Sequence, residues 1–217
     1  MIRHAENSNL SLYYHPFYQG LPVQTKRGPL IEEYLERMRQ VVAAALMQYA
    51  RVFAFRCDLR FPVDQHSPYA QNNQVIERFI ASFKAKIRHN RSKAQYINRY
   101  AHDTTVRYVW CREYGKKGIP HYHLVVLLNR DAFCALGRFE MGRNNLFNRL
   151  HEAWASALGL PLEDTEGLVE LPKNAGYCLQ LTEPNPLMDF FYRASYLCKA
   201  ETKEYGDGVH GFGASRA

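Results

Sequence analysis

His121 and His123 stand two residues apart in PHYHLVVLLN, an apolar, β-prone run that predicts a strand. Two-residue spacing along a strand sends both imidazoles to one face. Two neutral imidazoles so placed make half of a metal site. A chain with nine histidines produces such a pair readily by chance, and two ordinary histidines on a sheet would look the same. A third partner changes the weight. In RYVWCREYGKKGIPHYHLVVLL two β-prone runs flank a turn containing Gly115 and Gly118, which predicts a long hairpin. A turn centred near Lys117 sets Glu113 opposite His121 as a cross-strand neighbour. One carboxylate and two imidazoles suit a divalent ion such as Mn²⁺ or Mg²⁺ and leave positions open for substrate. Parity sends Tyr108, Trp110, Tyr122, Leu124 and Val126 to the opposite, apolar face, so the candidate ligands occupy the side that need not be core.

The second constellation is FYRASYLCK, where Tyr192, Tyr196 and Lys199 fall at i, i+4 and i+7, one stripe of a helix. With 15 tyrosines the Tyr-xxx-Tyr spacing is unremarkable, and an aromatic stripe packed on the sheet is the plainer explanation of it. Only this pair is followed by a lysine three residues later. Taken with the metal ligands, it points to a definite reaction. A phenolate can attack phosphorus while a metal polarises a phosphate oxygen, leaving a 5′ phosphotyrosine and a free 3′ hydroxyl. Tyrosine ionises near pH 10, so a cation such as Lys199 would help to stabilise the phenolate. Tyr196, one turn from Lys199, is the first nucleophile on this argument, and Tyr192 the second.

These residues need elements to hold them. From Pro29 the positions Ile31, Tyr34, Leu35, Met38, Val41, Val42, Ala45 and Leu46 recur at helical spacing, with Glu32 and Glu33 near the start. Val52 to Phe61 alternates, with Phe53, Phe55, Cys57, Leu59 and Phe61 on one face and Arg56, Asp58 and Arg60 on the other, which predicts a strand with one buried and one polar face. Asn73 to Arg91 returns to helical spacing. Between Arg78 and Tyr100 there are seven Lys or Arg and no acid, so Lys84, Lys86, Arg88, Arg91 and Lys93, with Arg56 and Arg60 on the strand, are candidates for phosphate contacts or simply a solvated face. Asn144 to Leu158 predicts another helix, Leu168 to Leu171 and Tyr177 to Leu181 two short strands, and Leu187 to about Glu201 a last helix. Residues 1 to 28 and the glycine-rich tail from Gly206 predict irregular chain. An antiparallel sheet with helices on one face, an α+β fold, follows from this mixture. Residues 1–50 form an arm and amphipathic helix, and 51–217 the domain that carries the chemistry.

Composition limits the alternatives. A chain of 217 residues, 47% of them hydrophobic, can bury a sizeable core, and a formal charge of +7 favours a polyanionic partner such as nucleic acid. The five cysteines are scattered without a CxxC pair, so a reducing cytoplasm is the simplest setting. The first residues lack a signal-peptide core, and no run approaches the roughly 20 apolar residues that cross a bilayer. The expectation is a soluble intracellular protein with no membrane partner.

The motifs VFAFRCDLRF, His121-Tyr122-His123 and Tyr196-Leu197-Cys198-Lys199 resemble those of the HUH endonucleases, and the pair Tyr192/Tyr196 is similar to the two-tyrosine branch that initiates rolling-circle replication. More closely, PHYHLVVLLNRDAF and FYRASYLCKAETKEYGDGVHGFGASR resemble the inovirus replication-protein family related to the YagK/YfjJ C-terminal domain, over approximately residues 50 to 216. The resemblance implies a ferredoxin-like or RRM-like core, metal ligands at His121 and His123 with Glu113 as the third, and nucleophiles at Tyr192 and Tyr196. Tyr122 departs from the pattern, because a bulky aliphatic residue is more usual there. The expected function is metal-dependent nicking and joining of single-stranded or origin DNA by a phage- or satellite-type replication initiator. With no GxxxxGK[ST] motif, unwinding would fall to a host helicase or to supercoiling. A transposase or relaxase would share the chemistry, a non-catalytic DNA-binding regulator would share the fold, and a two-histidine, one-carboxylate iron enzyme would share the ligands.

Overall fold

The structure is a computed structural model that describes residues 2–62, 72–115, 118–206 and 208–216. The arm predicted to be irregular instead contributes four short strands, β1 (Ile2–Arg3), β2 (Ser11–Tyr13), β3 (Phe17–Tyr18) and β4 (Leu21–Pro22), and is followed by β5 (Leu30–Ile31). β1, β2 and β5 form one small sheet, and β3 pairs with β4. Strands of two or three residues are too short to show an alternation, which is why composition alone suggested loop. Ser11 fastens the arm to the next element by donating from its backbone N and its Oγ to the Glu33 carboxylate. That element is α1 (Glu32–Gln48), whose buried Leu35, Met38, Val41, Val42, Ala45 and Leu46 form one apolar stripe.

The main sheet begins with β6 (Val52–Arg60) and continues through α2 (Gln74–Ile97), the hairpin β7 (Arg107–Tyr114) and β8 (Pro120–Asn129), and α3 (Leu146–Leu158). It is completed by β9 (Val169–Glu170), β10 (Gly176–Leu179), α4 (Pro184–Ala194) and β11 (Phe212–Ala214). Its order is β10-β6-β8-β7-β11, all pairs antiparallel, with β9 also on β6. Taken as β6-α2-β7-β8-α3-β10, the four long-range strands stand fourth, first, third, second across the sheet, which is the ferredoxin-like arrangement.

α2 and α3 cover one face, so the expectation of helices on one face holds for this unit. Phe53, Phe55, Cys57 and Leu59 of β6 and Tyr122, Leu124 and Val126 of β8 meet α2 and Trp154 of α3 there. The other face, expected to be polar, is a second core: Val52 and Ala54 of β6, Val109 and Cys111 of β7 and Val125 and Leu127 of β8 pack under α1 and α4. Four helices therefore sandwich the sheet, two on each side. Alternation cannot reveal this, because a strand buried on both faces is marked only by how apolar its second face is.

Three boundaries differ from expectation. α2 runs on to Ile97, past the last core contact at Ile87, because nothing from Arg88 to Ile97 breaks a helix. The last helix ends at Ala194 and continues as a 3₁₀ turn over Ser195–Cys198, not to Glu201. The glycine-rich tail supplies β11, whose Gly213 lies against the Trp110 indole so closely that an added Cβ would meet the ring at 2.5 Å. α3 follows expectation, with the Asn145 side chain accepting from Asn148 N and Gly159 left-handed at φ 69° beyond its end. Among the described residues no helix is long and apolar enough to cross a membrane.

Candidate active site

The sheet register assembles the candidate ligands. Glu113 of β7 pairs with His121 of β8, as the hairpin argument requires, although Lys117, the expected turn centre, lies outside the described residues. Across β8, Asp58 of β6 pairs with His123 and Arg60 with His121. His121 and His123 continue the alternation of Val125 and Leu127, so the cluster is the polar end of the second core. It is not a free surface: Glu113 is 3% exposed and His123 6%.

Glu113, His121 and His123 offer three ligand atoms within 4.8 Å of one another, a group able to hold a metal ion. The two Nε2 atoms face each other at 3.1 Å, and His123 Nε2 is 3.3 Å from Glu113 Oε2. Only one proton fits between two imidazole nitrogens so close, and a divalent cation would satisfy both lone pairs. Asp58 Oδ1 lies 2.6 Å from His123 Nδ1, where it accepts that proton and leaves Nε2 to face the cluster. A carboxylate behind a histidine in this way is the usual support of a metal ligand. The donor set thus fits a divalent ion.

Burial and neighbouring charges set the protonation of each group. Burial works to raise the Glu113 pKa, but the hydrogen bond from His123 and the charge of Lys203 overcome it and hold the carboxyl ionised. Asp58 is likewise depressed, its burial outweighed by His123 and Arg56. Burial and the neighbouring His123 lower the His121 pKa, which keeps that ring neutral. For His123 burial is the largest influence and acts downward, yet Asp58 and Glu113 together leave its pKa raised.

Tyr196 is the tyrosine that reaches the cluster. Its hydroxyl donates to Glu113 Oε2 at 3.3 Å, and its ring meets His123 edge-on with centroids 5.5 Å apart. The Arg56 guanidinium carbon lies 5.1 Å from the ring centroid and Lys199 Nζ 4.8 Å from it. Lys199 therefore sits over the ring, where it follows the 3₁₀ turn with ψ 134° and pairs with Leu30 in a short bridge. The Tyr196 pKa is raised, first by burial and then by Glu113, with Arg56 opposing, so the resting phenol is protonated. Tyr192 lies on α4, 38% exposed, and its hydrogen bonds run through its carbonyl to Gln24 and Ser195. The change from α to 3₁₀ winding after Ala194 breaks the shared stripe.

Three partners escaped the sequence reading. Lys203, with a fully buried side chain, donates to Glu113 Oε1 at 2.9 Å, and Thr202 Oγ1 donates to the same oxygen at 2.7 Å. Both stand in the C-terminal motif beside Lys199, but no helical or strand period singles them out. Asp58 was visible as an acid on the polar face of a strand, between two arginines. Arg56, a candidate for DNA contact, enters the site through an ion pair of 3.5 Å with Asp58. Arg60 pairs with Glu170, and Lys84, Lys86, Arg88, Arg91 and Lys93 lie on α2, on the opposite face of the sheet from Tyr196.

The family described as the YagK/YfjJ C-terminal domain matches residues 14–215, nearly the whole of this architecture. This chain belongs to the YagK/YfjJ C-terminal domain family. Two relatives from Escherichia coli (strain K12) agree. "Uncharacterized protein YfjJ" is 34% identical over 200 residues, covering 87% of this chain and 96% of that protein. "Uncharacterized protein YagK" is 31% identical over 209 residues, covering 92% and 97%. No solved structure matches the chain. As a member of the YagK/YfjJ family, the chain spans its relatives nearly end to end, and the match begins within the arm, well before residue 50.

Proposed function

We propose that this protein is a metal-dependent, single-strand DNA endonuclease and strand transferase of the HUH type, with Tyr196 as its first nucleophile. Its role in this reading is to nick an origin in a bacterial host and start rolling-circle replication of a phage or satellite element. The observation that carries the reading is the Tyr196 hydroxyl, hydrogen-bonded to the carboxylate of a two-histidine, one-carboxylate cluster. A tyrosine serving only as core would not need its hydroxyl there. An iron enzyme for oxygen chemistry accounts for the ligands but leaves the cations around the tyrosine without a role.

A divalent ion such as Mn²⁺ or Mg²⁺, held by Glu113 and the two Nε2 atoms, would polarise a phosphate oxygen when bound. The chain does the rest. Lys203 and Thr202 hold Glu113 Oε1, which turns Oε2 toward Tyr196 and His123. Arg56 and Lys199, beside the tyrosine ring, offer positive charge to a scissile phosphate and to the phenolate that burial otherwise disfavours. Tyr196 Oη attacks phosphorus, the bond to the 3′ oxygen breaks, and the phenolic proton passes to that leaving oxygen. Glu113 Oε2 is its nearest acceptor on the way. The products are a 5′ phosphotyrosine and a free 3′ hydroxyl, whose energy-conserving linkage lets a later hydroxyl rejoin the strand.

The test is incubation with a pool of labelled single-stranded oligonucleotides and Mn²⁺, followed by a denaturing gel. A protein band carrying DNA that vanishes in excess EDTA and in His121→Ala/His123→Ala is expected. Retained DNA affinity with no adduct under Mn²⁺ or Mg²⁺ would assign the protein to the DNA-binding regulators instead.

A further inference from the structure

The side of the sheet away from Tyr196 holds a second concentration of positive charge. Where α2 meets the start of α3, a cavity of about 270 Å³ is walled by Lys86, Lys93, Arg143 and Arg149, with His89, asparagines and one acid, Glu152, filling the gaps. We propose that this cavity binds one phosphate group of a nucleic-acid backbone, so that the strand cut at Tyr196 is also held at a remote phosphate.

Three observations point to that ligand. The first is Arg149, which is 8% exposed and forms no ion pair with a carboxylate among the described residues. Its guanidinium touches the Asn144 side chain and lies, like that of Arg91, over the Phe133 ring. Two arginines crowded on one ring, one of them buried, leave positive charge for an incoming anion to neutralise. The second is the charge balance. Glu152 pairs with Lys86 and also faces Arg149, and Glu140 pairs with Arg143, so among the described residues the four cations of the wall meet only these two carboxylates. The third is size and lining. The cavity falls just below the roughly 300 Å³ at which small-molecule pockets begin, and its lining among the described residues is polar or charged throughout, His89 being its one ring. That size and lining suit a phosphate with a few waters better than a whole nucleotide.

The sequence indicated only the α2 half of this site, through Lys86 and Lys93. Arg143 and Arg149 are supplied by a loop and a helix 50 or more residues further on. The inference deepens the DNA-binding half of the reading above and is independent of nicking.

The experiment measures binding of an oligothymidylate in EDTA across a salt series by fluorescence anisotropy. Each lost phosphate contact flattens the slope of log K against log salt by about 0.7 on single strands, so Lys93→Gln/Arg143→Gln should lose up to about 1.4. Arg149→Gln should flatten the slope as well, and if its buried position prevents folding, the exposed double variant carries the test. Wild-type slopes in every folded variant would overturn the proposal. So would inorganic phosphate raising the melting temperature of the wild type but not of these variants while their slopes stay unchanged, because the site would then serve free phosphate. Flattened slopes in a protein that forms no covalent adduct would uphold this site and remove the nicking reaction alone.

Discussion

Lys203→Met tests whether the buried ammonium organises the site. Methionine keeps an unbranched apolar stem, one heavy atom shorter, and removes the charge and its hydrogen bonds. In the wild type the Lys203 side chain is fully buried, with Nζ 2.9 Å from Glu113 Oε1 and 3.1 Å from Thr202 Oγ1. Removing one partner of a buried pair costs about 3–5 kcal/mol, because the other charge is left in low dielectric. Here Glu113 keeps Thr202, Tyr196 and His123, which places the expected loss at the lower end, about 3 kcal/mol. That is about a hundredfold in the folding equilibrium, since about 1.4 kcal/mol corresponds to a factor of ten. Urea unfolding followed by tryptophan fluorescence measures it directly, as Trp110 and Trp154 are both buried in the first core. The companion variants are Glu113→Gln and the double substitution. The double should be less destabilised than the sum of the two singles, because it leaves no unpaired charge. A loss below about 1 kcal/mol for Lys203→Met, or strict additivity, would refute the pairing argument.

Asp58→Asn should weaken Mn²⁺ binding by calorimetry about 10- to 100-fold with all three ligands intact, because it removes the carboxylate that orients His123; unchanged affinity would make Asp58 a bystander. Tyr196→Phe should abolish the covalent adduct in mass spectrometry while Tyr192→Phe, outside the cluster, still forms it; an adduct that maps to Tyr192 in the wild type reverses the assignment, and one that survives in the double variant removes the tyrosine mechanism. Gly213→Ala should destabilise the fold by about 1–3 kcal/mol in the same urea assay, since its Cβ must displace the Trp110 indole; a neutral result would mean that β11 does not hold its place against β7.

The hairpin and the ligand face were legible because both rest on local alternation. Once β7 and β8 pair across a short turn, Glu113 must oppose His121, and His123 must share its face. The same holds for the stripes of α1 and α2, where apolar spacing alone marks the buried side. The fate of the opposite sheet face was not legible. Val52, Ala54, Val125 and Leu127 are apolar, but only the return of α1 and α4 to that side makes it a core. The partners of the site were hidden for a related reason. Asp58 lies 65 residues from His123, and Lys203 lies 90 from Glu113, and no periodic pattern links positions so far apart. Tyr192 and Tyr196 reverse the case: their spacing implied a shared face, and a change from α to 3₁₀ winding at Ser195 gave only one of them to the cluster. Residue type and spacing settle which side chains share a strand or a helix turn, because backbone geometry repeats every few residues. Which distant charges meet is decided by how the elements close over one another, since a buried carboxylate such as Glu113 is stable only where the folded chain brings a cation to it.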